Sequence, residues 1–173
     1  VHFGNYVLVA ENNSNILILR FFDLIKKSFT QTFSFENVAI TPQDPEETKT
    51  HLYLTTFNAQ LISLDKQSLE STLIKLPKNE SIDAEFKPVV IGNINDKELF
   101  TEVVYFKDNI VHVDGFGFNT DSLSFTEMDI NFDFSGMRTA PFTSRLENGV
   151  IWYLLSNGIL KQNYLTNDYE ILF

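Results

Sequence analysis

Two side chains in this sequence are spaced for acid–base work. His112 and Asp114 stand at i and i+2, which on a strand puts both on one face. There a carboxylate can fix the tautomer of an imidazole and let it serve as a general base. No Gly-x-Ser-x-Gly elbow supplies a nucleophile for such a base. A second group, Asp129, Asn131 and Asp133, offers oxygen ligands of the kind Ca²⁺ prefers. It lacks the glycine and closing glutamate of an EF-hand loop. It reads better as a strand, with Ile130, Phe132 and Phe134 on the opposite face. The three histidines, His2, His51 and His112, lie far apart and read as ordinary strand or terminal residues. With no cysteine in the chain, a catalytic thiol, a Cys-based zinc site and a disulfide framework are excluded. No metal site and no cofactor are expected.

Aromatic residues are the other chemistry-bearing group. Gly115-Phe116-Gly117-Phe118 reads either as a flexible loop offering aromatics to a partner or as a glycine-kinked strand with both rings turned inward. The wider spacing of this hairpin from its Asp turn suggests an insertion. Trp152 and Tyr153 are candidate stacking platforms. Phe116, Phe118, Trp152 and Tyr153 are therefore the expected binding residues, and no catalytic residue is assigned.

These side chains must be positioned by a repeated element. An Asn-centred turn followed by a short apolar strand recurs at Asn15, Asn58, Asn109 and Asn157, at steps of 43, 51 and 48 residues. A strand precedes each turn: Tyr6–Ala10, Leu52–Thr56, Val103–Phe106 and Val150–Leu155. Asn and Gly tolerate positive φ, so Asn157-Gly158 is the strongest hairpin signal. After the second strand comes a turn carrying Asp23, Asp65, Asp121 or Asp168, whose carboxylate can cap the backbone beyond it. A third strand closes each unit, the first with Phe29, Phe33 and Phe35 alternating against Thr30, Thr32 and Ser34. Polar links such as 41–50, with Pro42 and Pro45, can each hold a further strand, for example at Val89–Ile91. That would bring a unit to the four strands of a propeller blade. Strand repeats of roughly 40 to 50 residues predict a β-propeller. The expectation is an all-β, β-propeller-like single repeat domain of about four units, roughly 1–40, 41–88, 89–135 and 136–173. It is either a small ring or an arc that continues into or assembles with further blades. A β-sandwich is the competing architecture. The opening on Val1 suggests a processed or excised piece, and the apolar close at Ile171-Leu172-Phe173 suggests a buried or continuing end.

At 173 residues with 14% aromatics, 17 of them Phe, the chain suits one aromatic-rich β domain. A formal net charge of -10 repels phosphate backbones and anionic lipid, so neither nucleic acid nor membrane is expected as a partner. The sequons at Asn12 and Asn79 occur at chance frequency. Cytoplasmic and secreted locations both stay open.

The units resemble the blades of kelch-type and PQQ-type β-propellers. The stretch His51–Glu70 carries the resemblance most fully: strand, Asn turn, strand, Asp65, then a Ser-containing turn. The kelch double Gly and the blade-end Trp are absent, so no PQQ or other cofactor site carries over. The expected function is a non-enzymatic protein-interaction module. The alternatives are a glycan-acting hydrolase or lyase with carboxylates in a central cleft, and a secreted carbohydrate-binding module using Trp152 and tyrosines.

Overall fold

In the computed structural model, the described residues are 1–77, 87–108, 110–128, 143–147, 149–155, 158–163, 166 and 168–172. They form sixteen strands and, among them, no helix. The first sheet holds β1 (His2–Phe3), β2 (Tyr6–Asn13), β3 (Ile16–Asp23) and β4 (Ser28–Glu36). The second holds β5 (Glu46–Glu47), β6 (His51–Thr55), β7 (Gln60–Asp65) and β8 (Ser71–Lys75). The third holds β9 (Val89–Asn95), β10 (Glu98–Lys107), β11 (Ile110–Asn119) and β12 (Ser124–Met128). The fourth holds β13 (Thr143–Glu147), β14 (Val150–Leu155), β15 (Gly158–Asn163) and β16 (Tyr169–Leu172). Every sheet is an antiparallel meander in chain order. Four separate sheets replace the two facing layers of a sandwich. Three of the first strands converge, with β9 lying against both β5 and β13, as the inner strands of propeller blades do.

The sheets stack through three buried clusters. Leu8, Leu17, Leu19 and Phe21 meet Leu52, Leu54, Ile62 and Leu64 between the first and second sheets. Tyr53 and Leu61 meet Leu99, Val103, Phe116 and Phe118 between the second and third. Phe100, Val104 and Val111 meet Ile151, Tyr153 and Leu160 between the third and fourth. Strands of the middle sheets are buried on both faces, hence their near-continuous apolar runs, LYL in β6 and LISL in β7.

The turn that closes each third-in-sheet strand is the most regular local feature. Asp23 Oδ1 accepts from the N–H groups of Ile25 and Lys26 at 2.9 and 3.0 Å. Asp65 Oδ1 accepts from Gln67 and Ser68, both at 2.8 Å. The third sheet departs from the sequence expectation, because Asn119 and not Asp121 is the cap, accepting from Asp121 and Ser122 at 3.0 and 2.9 Å. In the fourth, Asn163 accepts from Thr166 at 3.2 Å, and Asp168 instead takes the Thr166 hydroxyl at 2.7 Å. Lys27, Leu69 and Leu123, four residues beyond the first three caps, have φ of 53°, 61° and 54°. The repeated unit is thus an Asx turn, where the side chain mimics a backbone carbonyl, followed by one left-handed residue. Asp121 pairs with Lys97 at 2.8 Å on an exposed rim. Asn119→Ala should therefore lower stability by about 1 kcal/mol, while Asp121→Ala costs under about 0.5 kcal/mol. Urea denaturation compares the two.

The first turns also depart from expectation. Positive φ falls on Ser14 and Ala59, beside Asn15 and Asn58 and not on them, and also on Asp108; Asn109 and Asn157 lie outside the described residues. In β4 a bulge opposite Phe21 and Phe22 skips Thr30 in the register. Such a bulge turns the side chains beyond it to the other face. Phe29 consequently pairs with Phe22 on the outer face, while Phe33 and Phe35 pack inward on Leu19 and Leu17. The closing strand β16 is not buried: Ile171 and Leu172 are 43% and 40% exposed.

Candidate functional site

The third sheet does bring His112 and Asp114 to one face of β11, and it adds Tyr105 opposite His112 on β10. The imidazole stacks on the Tyr105 ring at 5.1 Å and 13°. Burial first, then the charge of Asp114 and a hydrogen bond to it, push the Tyr105 hydroxyl up to about 12. The carboxylate is therefore engaged by a phenol that keeps its proton, and the imidazole lies flat on that same ring. This is a packed strand face. His2, His51 and His112 sit in three different sheets. Asp129, Asn131 and Asp133 lie outside the described residues. Among the described residues, no three His, Asp or Glu side chains gather to hold a metal ion.

The aromatic candidates separate into core and surface. Phe116 and Phe118 lie inside β11 at 1% and 0% exposure, so the exposed-loop reading is corrected. The long hairpin comes from two ten-residue strands, with no insertion between them. A Cβ on Gly117 would stand 3.3 Å from Glu98 Oε1, the far end of a flexible side chain that can give way. Tyr153 is also fully buried, which removes it as a stacking platform. Its hydroxyl donates to Glu102 and lies 3.2 Å from the Gln162 amide oxygen. Trp152 is half-buried on the outer face of the fourth sheet, with Lys161 Nζ 5.7 Å from its ring centre.

A cleft that sequence reasoning did not single out opens between the first two sheets. Its volume is about 270 Å³. Leu8, Ala10, Ile40 and Leu54 line its apolar side, and 41–45 forms the wall. That wall is fixed. Thr41 N–H donates to Thr55 O at 2.9 Å, the hydroxyls of Thr41 and Thr55 are hydrogen-bonded, and Gln43 Nε2 donates to Ile91 O at 2.8 Å. The prolines at 42 and 45 remove two donors and restrict φ, holding the strip open beside β6 without joining its ladder. Among the described residues, Asp44 is the one carboxylate lining the cleft, and it is exposed. The signal available in sequence was the Pro42-Gln43-Asp44-Pro45 frame itself.

Sixteen strands in four radially packed meanders define a β-propeller-like repeat fold. The solved WD40 domain of Neurospora crassa Pan2 is similar in structure, with a TM-score of 0.51 at 9% identity. The match covers 94% of this chain and 50% of that domain, so the chain spans half the length of the neighbour. The likeness rests on fold alone. No protein family model matches the chain, and no curated protein does.

Proposed function

We propose that this chain is a non-enzymatic protein-interaction scaffold that takes a short peptide segment in the cleft between its first two sheets. The observation that carries this is the cleft's composition: an apolar floor, a hydrogen-bonded proline-framed wall and a single exposed carboxylate at Asp44. A volume of about 270 Å³ is at the small end for ligand pockets and suits one or two side chains. The single carboxylate favours a segment carrying a basic residue beside an apolar one, since opposite charge at a rim steers association. We also infer that the blades follow the kelch or PQQ plan, without its cofactor; the Asp23 and Asp65 turns support this grouping.

The test is selection from a displayed random-peptide library on the wild-type chain. Apolar-plus-basic sequences are expected. Ala10 lines the cleft and is exposed, so Ala10→Arg fills it without touching the core. Affinity of the selected peptides should fall at least about tenfold, or 1.4 kcal/mol. Peptides that bind Ala10→Arg as tightly as wild type would refute the cleft as the site.

A further inference from the structure

Each sheet closes on a last strand that, among the described residues, is paired on one side only: β4, β8, β12 and β16. β8 and β12 are such edges in sheets that have neighbours on both faces, so the open edge belongs to the plan of the sheet. Free edges invite pairing with other chains, and short strands or charged side chains discourage it. Three of the four edges are guarded in that way. β8 has five residues and ends on Lys75, β12 has five and carries Glu127, and β16 has four and carries Glu170. β4 is different. It has nine residues, SFTQTFSFE, and no charge before Glu36. Its bulge skips Thr30, and Gln31–Phe35 beyond the bulge keeps a regular register with β3.

The ladder shows which main-chain groups of β4 are free. Asn37 N–H donates to Asn15 O at 2.6 Å, so Asn15 and Asn37 face each other as a hydrogen-bonded pair. Antiparallel strands alternate such pairs with pairs whose N–H and C=O groups point away from each other. By register the residues of β4 that point away are Glu36, Ser34 and Thr32, opposite Ile16, Ile18 and Arg20. Each turns an N–H and a C=O to the open side of the sheet, and each is exposed. Phe33 and Phe35, between them, spend their main-chain groups on β3 and pack on the core between the first two sheets. Free donors and acceptors in a row, on a strand held firmly from behind, are a template for a further strand.

We infer that β4 takes an extended segment of another protein as a fifth strand of the first sheet. Main-chain bonds to Thr32, Ser34 and Glu36 supply the affinity, and alternate side chains supply the selectivity. The side of the sheet holding Phe33 and Phe35 favours aromatic or β-branched residues in the segment, and the side holding Thr32 and Ser34 favours Thr or Ser. Charge selects a foreign strand over a second copy. The chain carries a formal net charge of -10, and Glu36 closes the free row with no ion pair among the described residues. Two copies would bring like charges together, whereas a segment with Lys or Arg opposite Glu36 complements it. No residue of β4 lines the cleft between the first two sheets, so this is a second, separate surface.

A pool of labelled peptides tests this. Its members match β4 in length, alternate Val or Phe with Thr, and end in Lys. Fluorescence anisotropy should show saturable binding to the wild-type chain. Amide exchange at Thr32, Ser34 and Glu36, read by NMR, should slow at least about tenfold on saturation, while the amides of β8 and β12 stay as they were. Ser34→Pro removes one outward donor and no bond to β3, and should weaken binding at least about tenfold. Should that variant misfold, the best peptide decides alone: N-methylation along one of its edges should weaken binding as much, and along the other should not. Ala10→Arg, in the cleft, should bind the pool as wild type does, so the cleft reading and this one fail separately. A pool that does not bind, a folded Ser34→Pro chain that binds as wild type does, or equal binding of the two methylated forms would overturn the proposal. So would β4 amides that are protected in the free chain and released on dilution, since a second copy would then be the occupant.

Discussion

Phe118→Ala is expected to destabilise the chain by about 3–5 kcal/mol, the range for removing a buried phenylalanine. The ring is fully buried between the second and third sheets. It meets Tyr53 edge-on at 5.7 Å and lies tilted on Phe125 at 4.8 Å. Truncation therefore removes dispersion and quadrupole contacts on both sides. It also opens a void in an interface made of strands, whose paired backbones cannot shift far to fill it. A domain of this size should lose about 2–4 °C of melting temperature per kcal/mol. Urea titration and thermal circular dichroism read both quantities. Trp152→Ala, on a half-buried outward position, should cost much less. A Phe118→Ala chain with wild-type stability would restore the surface role that Gly115–Phe118 suggests in sequence.

That position shows where local pattern stops informing. The propeller-like class is legible because four apolar hairpins recur, and recurrence survives local ambiguity. Gly-Phe-Gly-Phe is ambiguous because glycine marks both a loop and a strand interior where a neighbour comes close. The pairing of 115–118 with β10 on one side and β12 on the other decides it. The caps at Asn119 and Asn163 are hidden by nearby aspartates with the more familiar chemistry. What selects a cap is its place as the last residue of the strand, and strand ends are poorly fixed by pattern. Alternation misplaces Phe29 for a similar reason: a bulge leaves no mark in the order of residue types, yet it reverses the face of the residues beyond it. The cleft has no periodicity to betray it, since its wall is a proline-framed link held by tertiary hydrogen bonds to Thr55 and Ile91.

Tyr153→Phe is expected to cost about 2–3 kcal/mol, although it changes one atom. Glu102 sits in the middle of β10, 0% exposed, on the face that packs against the fourth sheet. Tyr153 donates its hydroxyl to that carboxyl. A hydrogen bond to a charged group contributes about 1.5–3 kcal/mol, and stripping a donor from a buried acceptor adds the acceptor's desolvation cost. The effect should depend on Glu102. In a Glu102→Met background, Tyr153→Phe should cost less than about 1 kcal/mol, and the double-mutant cycle measures the coupling. Alkaline pH provides an independent check. Burial, and then the charge of Glu102, raise the Tyr153 hydroxyl well above its usual value near 10. Tyr105 is pushed up to about 12. Each folded phenol thus keeps a proton that its unfolded counterpart releases above pH 10. The unfolded state then binds fewer protons, so stability is full below pH 10 and falls as pH rises beyond it. The limiting slope is about 1.4 kcal/mol per pH unit for each such tyrosine. Tyr153→Phe should lessen that slope by one tyrosine's share, and urea midpoints taken between pH 8 and about 11.5 would show whether it does. An unchanged slope would mean that Tyr153 ionises as freely in the folded chain as in the unfolded one, which its full burial against Glu102 forbids.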